Sequence, residues 1–199
     1  MDVITVEKLT REFYGRDTLL VARELLGKRL VRTVDGVRLA GRITETEAYV
    51  GRIDKACHAY GYKRTRRTET LYAPPGTAYI YLIYGMYCCL NFVTEAEGEP
   101  CAVLIRALEP LEGGDFMARS RFGVSMADMT GGQRKNFLNG PGKLCRGLSL
   151  TRAQNGLDLT GDALYVLDAG ERPRHINVGK RIGIDYAEEA VDFPWRFYV

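Results

Sequence analysis

No segment of the sequence has the makings of a membrane span. The uncharged stretch from Pro74 to Val93 approaches the necessary length, but Pro75, Gly76, Gly85 and Asn91 interrupt it and tyrosines fill its middle, so it reads as strand. The N-terminal segment MDVITVEKLTREFYGRD carries charges of both signs and lacks the apolar run of a secretory signal. The five cysteines (Cys57, Cys88, Cys89, Cys101, Cys145) form no C-x-x-C pair and are odd in number. They read as reduced thiols of a cytoplasmic protein, not as a disulfide frame. Histidine is scarce, with only His58 and His175. Cys57-His58 alone does not make a zinc site: H-x-E, P-C-x-x-C and other clusters at ligand spacing are missing, so no metal and no cofactor is expected. Neither sign of charge dominates. The net charge of +3 means that contact with a polyanion would depend on local clustering. Repeats and low-complexity tracts are also missing. What remains is a chain of 199 residues, 46% hydrophobic and 27% charged, which fits one soluble domain over 1–199.

The pattern along the chain predicts an α+β fold with a mostly antiparallel sheet and surrounding helices. In GRDTLLVARELLGKRL, Asp17 is a helix N-cap, Leu19, Leu20, Ala22, Leu25 and Leu26 are the apolar face, and Gly27 is a stop. KRLVRTV reads as a strand. Asp35-Gly36 is a two-residue hairpin signal leading into VRLAGRITETEAY. CAVLIRALEP, from Cys101 to Pro110, reads as a buried strand running into a turn. Residues 113–143 are Gly-rich and poor in pattern, and LYVLDAG and PWRFYV are late strands.

Two stretches carry chemistry. In TAYIYLIYGMY, strand alternation puts Tyr79 and Tyr81 on one face. Tyr84 breaks the parity and sits before Gly85, where a strand would end in a bend. A core edge accounts for any one of these rings; two on a wall and one on a tip also suit a flat ligand such as a nucleobase. In the second hairpin strand, a regular strand would put Val37, Leu39, Gly41, Ile43, Glu45, Glu47 and Tyr49 on one face and Arg38, Arg42, Thr44 and Thr46 on the other. The apolar face would then end in two carboxylates and a tyrosine. Such a strand end can simply emerge into solvent. A glutamate that continues a core face is instead partly desolvated, and its pKa rises toward the range useful for proton transfer. Glu47, next to Tyr49, is the stronger candidate.

ITETEAYVGRIDKACH, GTAYIYLIYGMYCCLN, AVLIRALEP, NGPGKLCRGL and PWRFYV, in this order from about residue 17 onward, resemble the alkyladenine (3-methyladenine) DNA glycosylases, which excise alkylated and deaminated purines. The resemblance implies that Glu47 is the general base for the attacking water, with Arg106 and His58 helping to hold that water. It implies that Tyr49 stacks on one face of an extruded base and His58 and Tyr81 on the other. Tyr84 would be the wedge that fills the vacated place in the duplex, and Asn91 would exclude the 2-amino group of guanine. The implied partner is double-stranded DNA containing a damaged purine, met by a monomer, cytoplasmic or nucleoid-associated if bacterial. No lysine falls at a matched catalytic position, which implies hydrolysis without a Schiff base.

The basic clusters are open to two readings. Lys63, Arg64, Arg66 and Arg67 lie between the two active-site blocks, and Arg119, Arg121, Arg134, Lys135, Lys143 and Arg146 gather further on. Solvated surface is the ordinary meaning of such runs. Beside a base pocket, Lys63, Arg64, Arg66, Arg67 and Lys143 would hold phosphates. Two alternatives from other classes remain. A non-catalytic nucleic-acid-binding module would use the aromatic slot without needing Glu47. A small-molecule enzyme, such as a formyl transferase, would bind its ligand without DNA.

Overall fold

Asp17 and Asp35 mark the first elements as the sequence predicts. The Asp17 side chain accepts from the Leu20 amide at 2.9 Å and starts α2 (Thr18–Glu24), which follows a single turn, α1 (Arg11–Tyr14). Asp35 and Gly36 have φ of 49° and 76°, the positive pair that a two-residue hairpin requires, and they join Val34 to its partner Val37. The computed structural model describes residues 6–199; the part of the N-terminal expectation that falls on residues 1–5 lies outside the described residues.

Among the described residues, nine strands make one sheet: β1 (Glu7–Lys8), β2 (Arg29–Val34), β3 (Val37–Val50), β4 (Ala78–Ile83), β5 (Tyr87–Thr94), β6 (Cys101–Glu112), β7 (Leu164–Asp168), β8 (Asn177–Gly179) and β9 (Arg196–Tyr198). Their spatial order is β1-β7-β2-β3-β6-β5-β4, with β9 on β3 and β8 on β9. All named pairings among the described residues are antiparallel. The α+β expectation holds. One edge of β3 pairs with β2 along its first half and with β9 at Glu45–Glu47, while the other edge pairs with β6 from Ala40 to Val50.

β6 continues to Glu112 instead of turning at Pro110, because its end stays paired with the start of β3. The pattern-poor region after it folds into α3 (Gly114–Phe122), α4 (Gly131–Lys135) and α5 (Pro141–Gly147). Short helices leave little room for periodicity, yet two local signals are present: the Thr130/Gln133 capping box of α4 and Pro141 in the first turn of α5. The main core lies between one sheet face, with Leu39, Ile43, Ala48, Ile80, Phe92 and Ile105, and residues such as Val21, Met117 and Leu144 of α2, α3 and α5.

The predicted regular face of β3 is corrected by the structure. Ile43 pairs with Leu108 and Glu45 with Ala107, skipping Thr44; Thr46 then pairs with Ile105, skipping Arg106. One extra residue in each strand reverses the parity of both. Beyond this double bulge, Ala48 joins Ile43 in the core, and the Thr46 hydroxyl donates to the Ala22 carbonyl at 2.7 Å. Glu47 and Tyr49 therefore face the opposite side from Ile43.

Gly51, at the exit of β3, packs so closely that an added Cβ would lie 2.3 Å from the Pro100 carbonyl oxygen. Gly51→Ala should destabilise the protein by about 1–3 kcal/mol through overpacking. Chemical denaturation gives the comparison, and an unchanged midpoint would show that the β3 exit has room to yield.

Candidate active site

β3, β4, β5 and β6 turn Glu47, Tyr49, Tyr79, Tyr81, Asn91 and Arg106 toward the face opposite the main core. Residues from the segment after β3, including Cys57 and His58, and from 182–186 close over this face. All of these but Glu47 line a cavity of about 540 Å³, a size that admits a small planar ligand. Leu71, Ala102 and Leu104 give it an apolar lining.

Glu47 is fully buried, and both of its carboxylate oxygens are engaged. The Ile182 amide donates to Oε1 at 2.8 Å, and the Tyr49 hydroxyl donates to Oε2 at 2.7 Å. Arg106 brings Nη1 to 3.4 Å from Oε1. Burial pushes the Glu47 pKa up, opposed in part by Arg106, Tyr49 and the Ile182 amide. Burial also works against charge on Arg106, but Glu47 and Glu45 outweigh it, so Arg106 stays firmly cationic. Glu45, half-buried, accepts from Arg106 Nε at 3.2 Å and from Arg196 Nη1 at 2.9 Å. Arg196, Glu45, Arg106 and Glu47 thus alternate in sign, an arrangement that fixes the Arg106 fork beside Glu47.

His58 packs edge-on to Tyr81, with ring centroids 4.6 Å apart at 81°. Its Nε2 lies 3.3 Å from Arg67 Nη2, and its Nδ1 lies 3.2 Å from the Tyr79 hydroxyl. A guanidinium can only donate, so Nε2 accepts and the ring proton sits on Nδ1. Burial, reinforced by Arg67, pushes the His58 pKa down to about 4, so the ring is neutral at pH 7. These are its hydrogen-bond partners among the described residues, and neither Glu47 nor Arg106 is one of them.

Asn91 is buried opposite Tyr79, and its amide donates to the Tyr79 carbonyl at 3.1 Å and to the Cys89 carbonyl at 3.4 Å. Tyr84 is 81% exposed at the tip of the β4–β5 hairpin, with φ of 52°, and Gly85 follows at 71°. The bend expected at Gly85 is there, and the ring projects from it.

The basic residues divide. Arg64 is engaged twice by Glu69 and lies over the Tyr72 ring. Lys143 is held by Asn136 and Asn139. Arg67 lines the cavity, with its guanidinium 5.2 Å from the Tyr81 ring centroid. Lys63 and Arg66 are exposed and have no ion-pair partner among the described residues.

Sequence reasoning missed the segment after β8. Its Ile182 donor is a backbone amide, which has no residue signature. Its Arg181 is buried against Asp54, a partner far away in sequence. All five cysteines are free thiols, and no group of three or more His, Cys, Asp or Glu residues capable of holding a metal occurs among the described residues. Among those residues no helix is long and apolar enough to cross a membrane.

A buried, hydrogen-bonded carboxylate thus lies behind Tyr49, Arg106 and Ile182, which line an aromatic slot. The Methylpurine-DNA glycosylase (MPG) family model matches residues 12–199. Bacterial relatives carrying the name "Putative 3-methyladenine DNA glycosylase" include one from Desulfitobacterium hafniense, 53% identical over 98% of this chain and 96% of its own. Another, from Clostridium acetobutylicum, is 54% identical over 96% of this chain and 94% of its own. The chain belongs to the methylpurine-DNA glycosylase family and is a hydrolytic N-glycosylase acting on DNA.

The depressed His58 pKa has a consequence for acid stability. An unfolded histidine titrates near 6.5, so the unfolded chain gains a proton that the folded chain refuses until about pH 4. The stability that depends on neutral His58 is complete above pH ~6.5 and is lost as pH falls toward 4. An NMR titration of the His58 ring, assigned through His58→Gln, should give a midpoint far below 6.5; an ordinary midpoint would mean that the ring is solvated and free of Arg67.

Proposed function

We propose that the protein flips alkylated or deaminated purines, of the 3-methyladenine, hypoxanthine and ethenoadenine type, out of duplex DNA and hydrolyses the N-glycosidic bond with a water activated by Glu47. The observation that carries this reading is the state of Glu47: fully buried, with its pKa raised, and bonded to Tyr49, Ile182 and Arg106, which line an aromatic cavity.

A base inside the stack is out of reach, and extruding it costs a few kcal/mol, least for damaged or mismatched pairs. Stacking of about 1–3 kcal/mol per base offsets that cost. Tyr49 supplies one wall, and His58 with Tyr81 the other. The neutral His58 ring adds a flat surface without a second charge. Tyr84, exposed on the hairpin tip, enters the duplex as the wedge. Asn91, fixed by two backbone carbonyls, cannot swing away from a guanine 2-amino group and so excludes it. Lys63 and Arg66 hold phosphates, which set the register without reading sequence.

The chemical step leaves a cationic, oxocarbenium-like sugar and needs a nucleophilic water. A carboxylate meets both demands by accepting the water's proton and by placing negative charge beside the sugar. Arg106 helps to hold the water, and its charge opposes the burial that raises the Glu47 pKa. The lining of the cavity includes no lysine, in keeping with direct hydrolysis. Because Glu47 must be ionised, base release should rise with pH through a pKa above the ordinary carboxyl range.

Glu47→Gln tests the reading. The isosteric amide can still accept from Ile182 but cannot take a proton or offset a cation, so base release should fall by about 10²–10⁴ or more. Lesion-duplex binding should persist. A glutamate whose folded pKa is raised costs stability once it ionises, so at neutral pH the variant should melt at the same temperature or higher. Full activity in Glu47→Gln would end the proposal.

Tyr84→Ala tests the wedge. It should slow excision from stable base pairs more than from mismatches, because only the former depend on help with extrusion. Equal loss on both substrates would assign Tyr84 to packing or general binding instead.

A further inference from the structure

Arg181 is the most constrained side chain near the site, yet it makes no direct contact with Glu47. Its side chain is fully buried, as is that of Asp54, which it meets at 2.5 and 2.7 Å through both terminal nitrogens. It also donates to the Ala48 carbonyl at 2.8 Å and to the Ala190 carbonyl at 3.2 Å. The guanidinium lies 4.7 Å from the Tyr49 ring centroid and 5.1 Å from that of Trp195. It thus ties together β3, the turn after β3, residue 190 and the entry to β9.

The two hydrogen bonds that Glu47 accepts come from the residues Arg181 secures. Oε1 is met by the amide of Ile182, the next residue in the chain, and Oε2 by the hydroxyl of Tyr49, whose ring Arg181 backs. Ala48, whose carbonyl takes an Arg181 hydrogen bond, lies between Glu47 and Tyr49 in β3. We infer that Arg181, oriented by Asp54, is a positioning residue for Glu47, fixing both donors that aim and ionise its carboxylate. This rests on the reading of Glu47 as the base in the step proposed above.

A purely structural ion pair would not be expected to change the acidity of a particular carboxylate beyond the through-space effect of the Arg181 charge, which Asp54→Asn keeps. Buried pairs of this kind add little net stability and are better at selecting one arrangement over others. Here the selected arrangement is a carboxylate with two donors, and donors to the ionised form lower its pKa. The charged and titratable groups around Glu47 are Glu45 and Tyr49 on β3, Arg106 on β6, Arg181 beside the Ile182 amide, and Arg196 acting through Glu45. Loosening Arg181 leaves Arg106, Glu45 and Arg196 in place and withdraws the other two donors, so Glu47 should become harder to ionise.

The test uses Arg181→Met, Arg181→Lys and Asp54→Asn in the full chain. Four readouts are needed: the Glu47 carboxyl titration in the free protein by ¹³C NMR, assigned with Glu47→Gln; single-turnover base release from a hypoxanthine duplex across pH; lesion-duplex affinity; and the melting temperature. In Arg181→Met the Glu47 titration and the acid limb of base release should both move upward by about one pH unit. The rate at neutral pH should fall roughly tenfold or more, with binding nearly unchanged. Arg181→Lys, which keeps the charge and one donor, should restore part of both. If Arg181→Met does not fold, Asp54→Asn and Arg181→Lys carry the same comparison. A Glu47 titration that stays in place, with rate lost only in step with the unfolded fraction, overturns the inference. The NMR titration needs no catalysis, so a wild type that released no base would sink the reading of Glu47 and leave this positioning role to be judged on its own.

Discussion

The double bulge at Thr44 and Arg106 is the constraint on which the site depends. A regular β3–β6 ladder carrying Ile43 into the core would carry Glu47 there too, under α2 and away from the cavity. Both strands miss one partner at nearly the same level, so both reverse parity while their pairing continues. The same irregularity brings Arg106 beside Glu47 and leaves Thr46 to satisfy the Ala22 carbonyl. A defect in the hydrogen-bond ladder therefore creates a second functional face on strands whose first halves serve the core.

The electrostatics follow from this geometry. A carboxylate without solvent is costly unless it is paired and hydrogen-bonded. Glu47 has two donors and a guanidinium, and its pKa still lies above normal because burial outweighs them. His58 shows the complementary case, a base kept neutral by burial and a neighbouring cation. A carboxylate behind the cavity lining and a neutral imidazole in it are thus each set by their surroundings and not by residue type alone.

Much of this was legible in the sequence, for reasons that can be named. Asp17 and Asp35-Gly36 announce themselves because caps and tight turns depend on local chemistry. The shared face of Tyr79 and Tyr81 follows from alternation within β4, which is regular. Glu47 and Tyr49 do share a face, since they are two positions apart, with only Ala48 between them, on an uninterrupted stretch. Their relation to Ile43 was misread because a bulge leaves no fixed residue pattern. Arg67 reads as a phosphate contact from its basic neighbours; its place over Tyr81 is set by tertiary packing and has no local signature. Ile182 and Arg181 were invisible for the same reason: one acts through its backbone, and the other through an aspartate 127 positions away.

The β4–β5 hairpin has one more consequence. Tyr81 and Tyr84 belong to the same strand and its turn, three residues apart, and that turn is held by consecutive positive φ angles. The slot wall and the exposed ring are held at a set interval by the paired ladder up to Ile83 and by the turn that follows it. The hairpin is in effect a ruler. A lengthened turn would leave both rings intact and change only the interval between them, so in the proposed reaction the reach of a swinging nucleotide would be gauged by the backbone and not by either tyrosine.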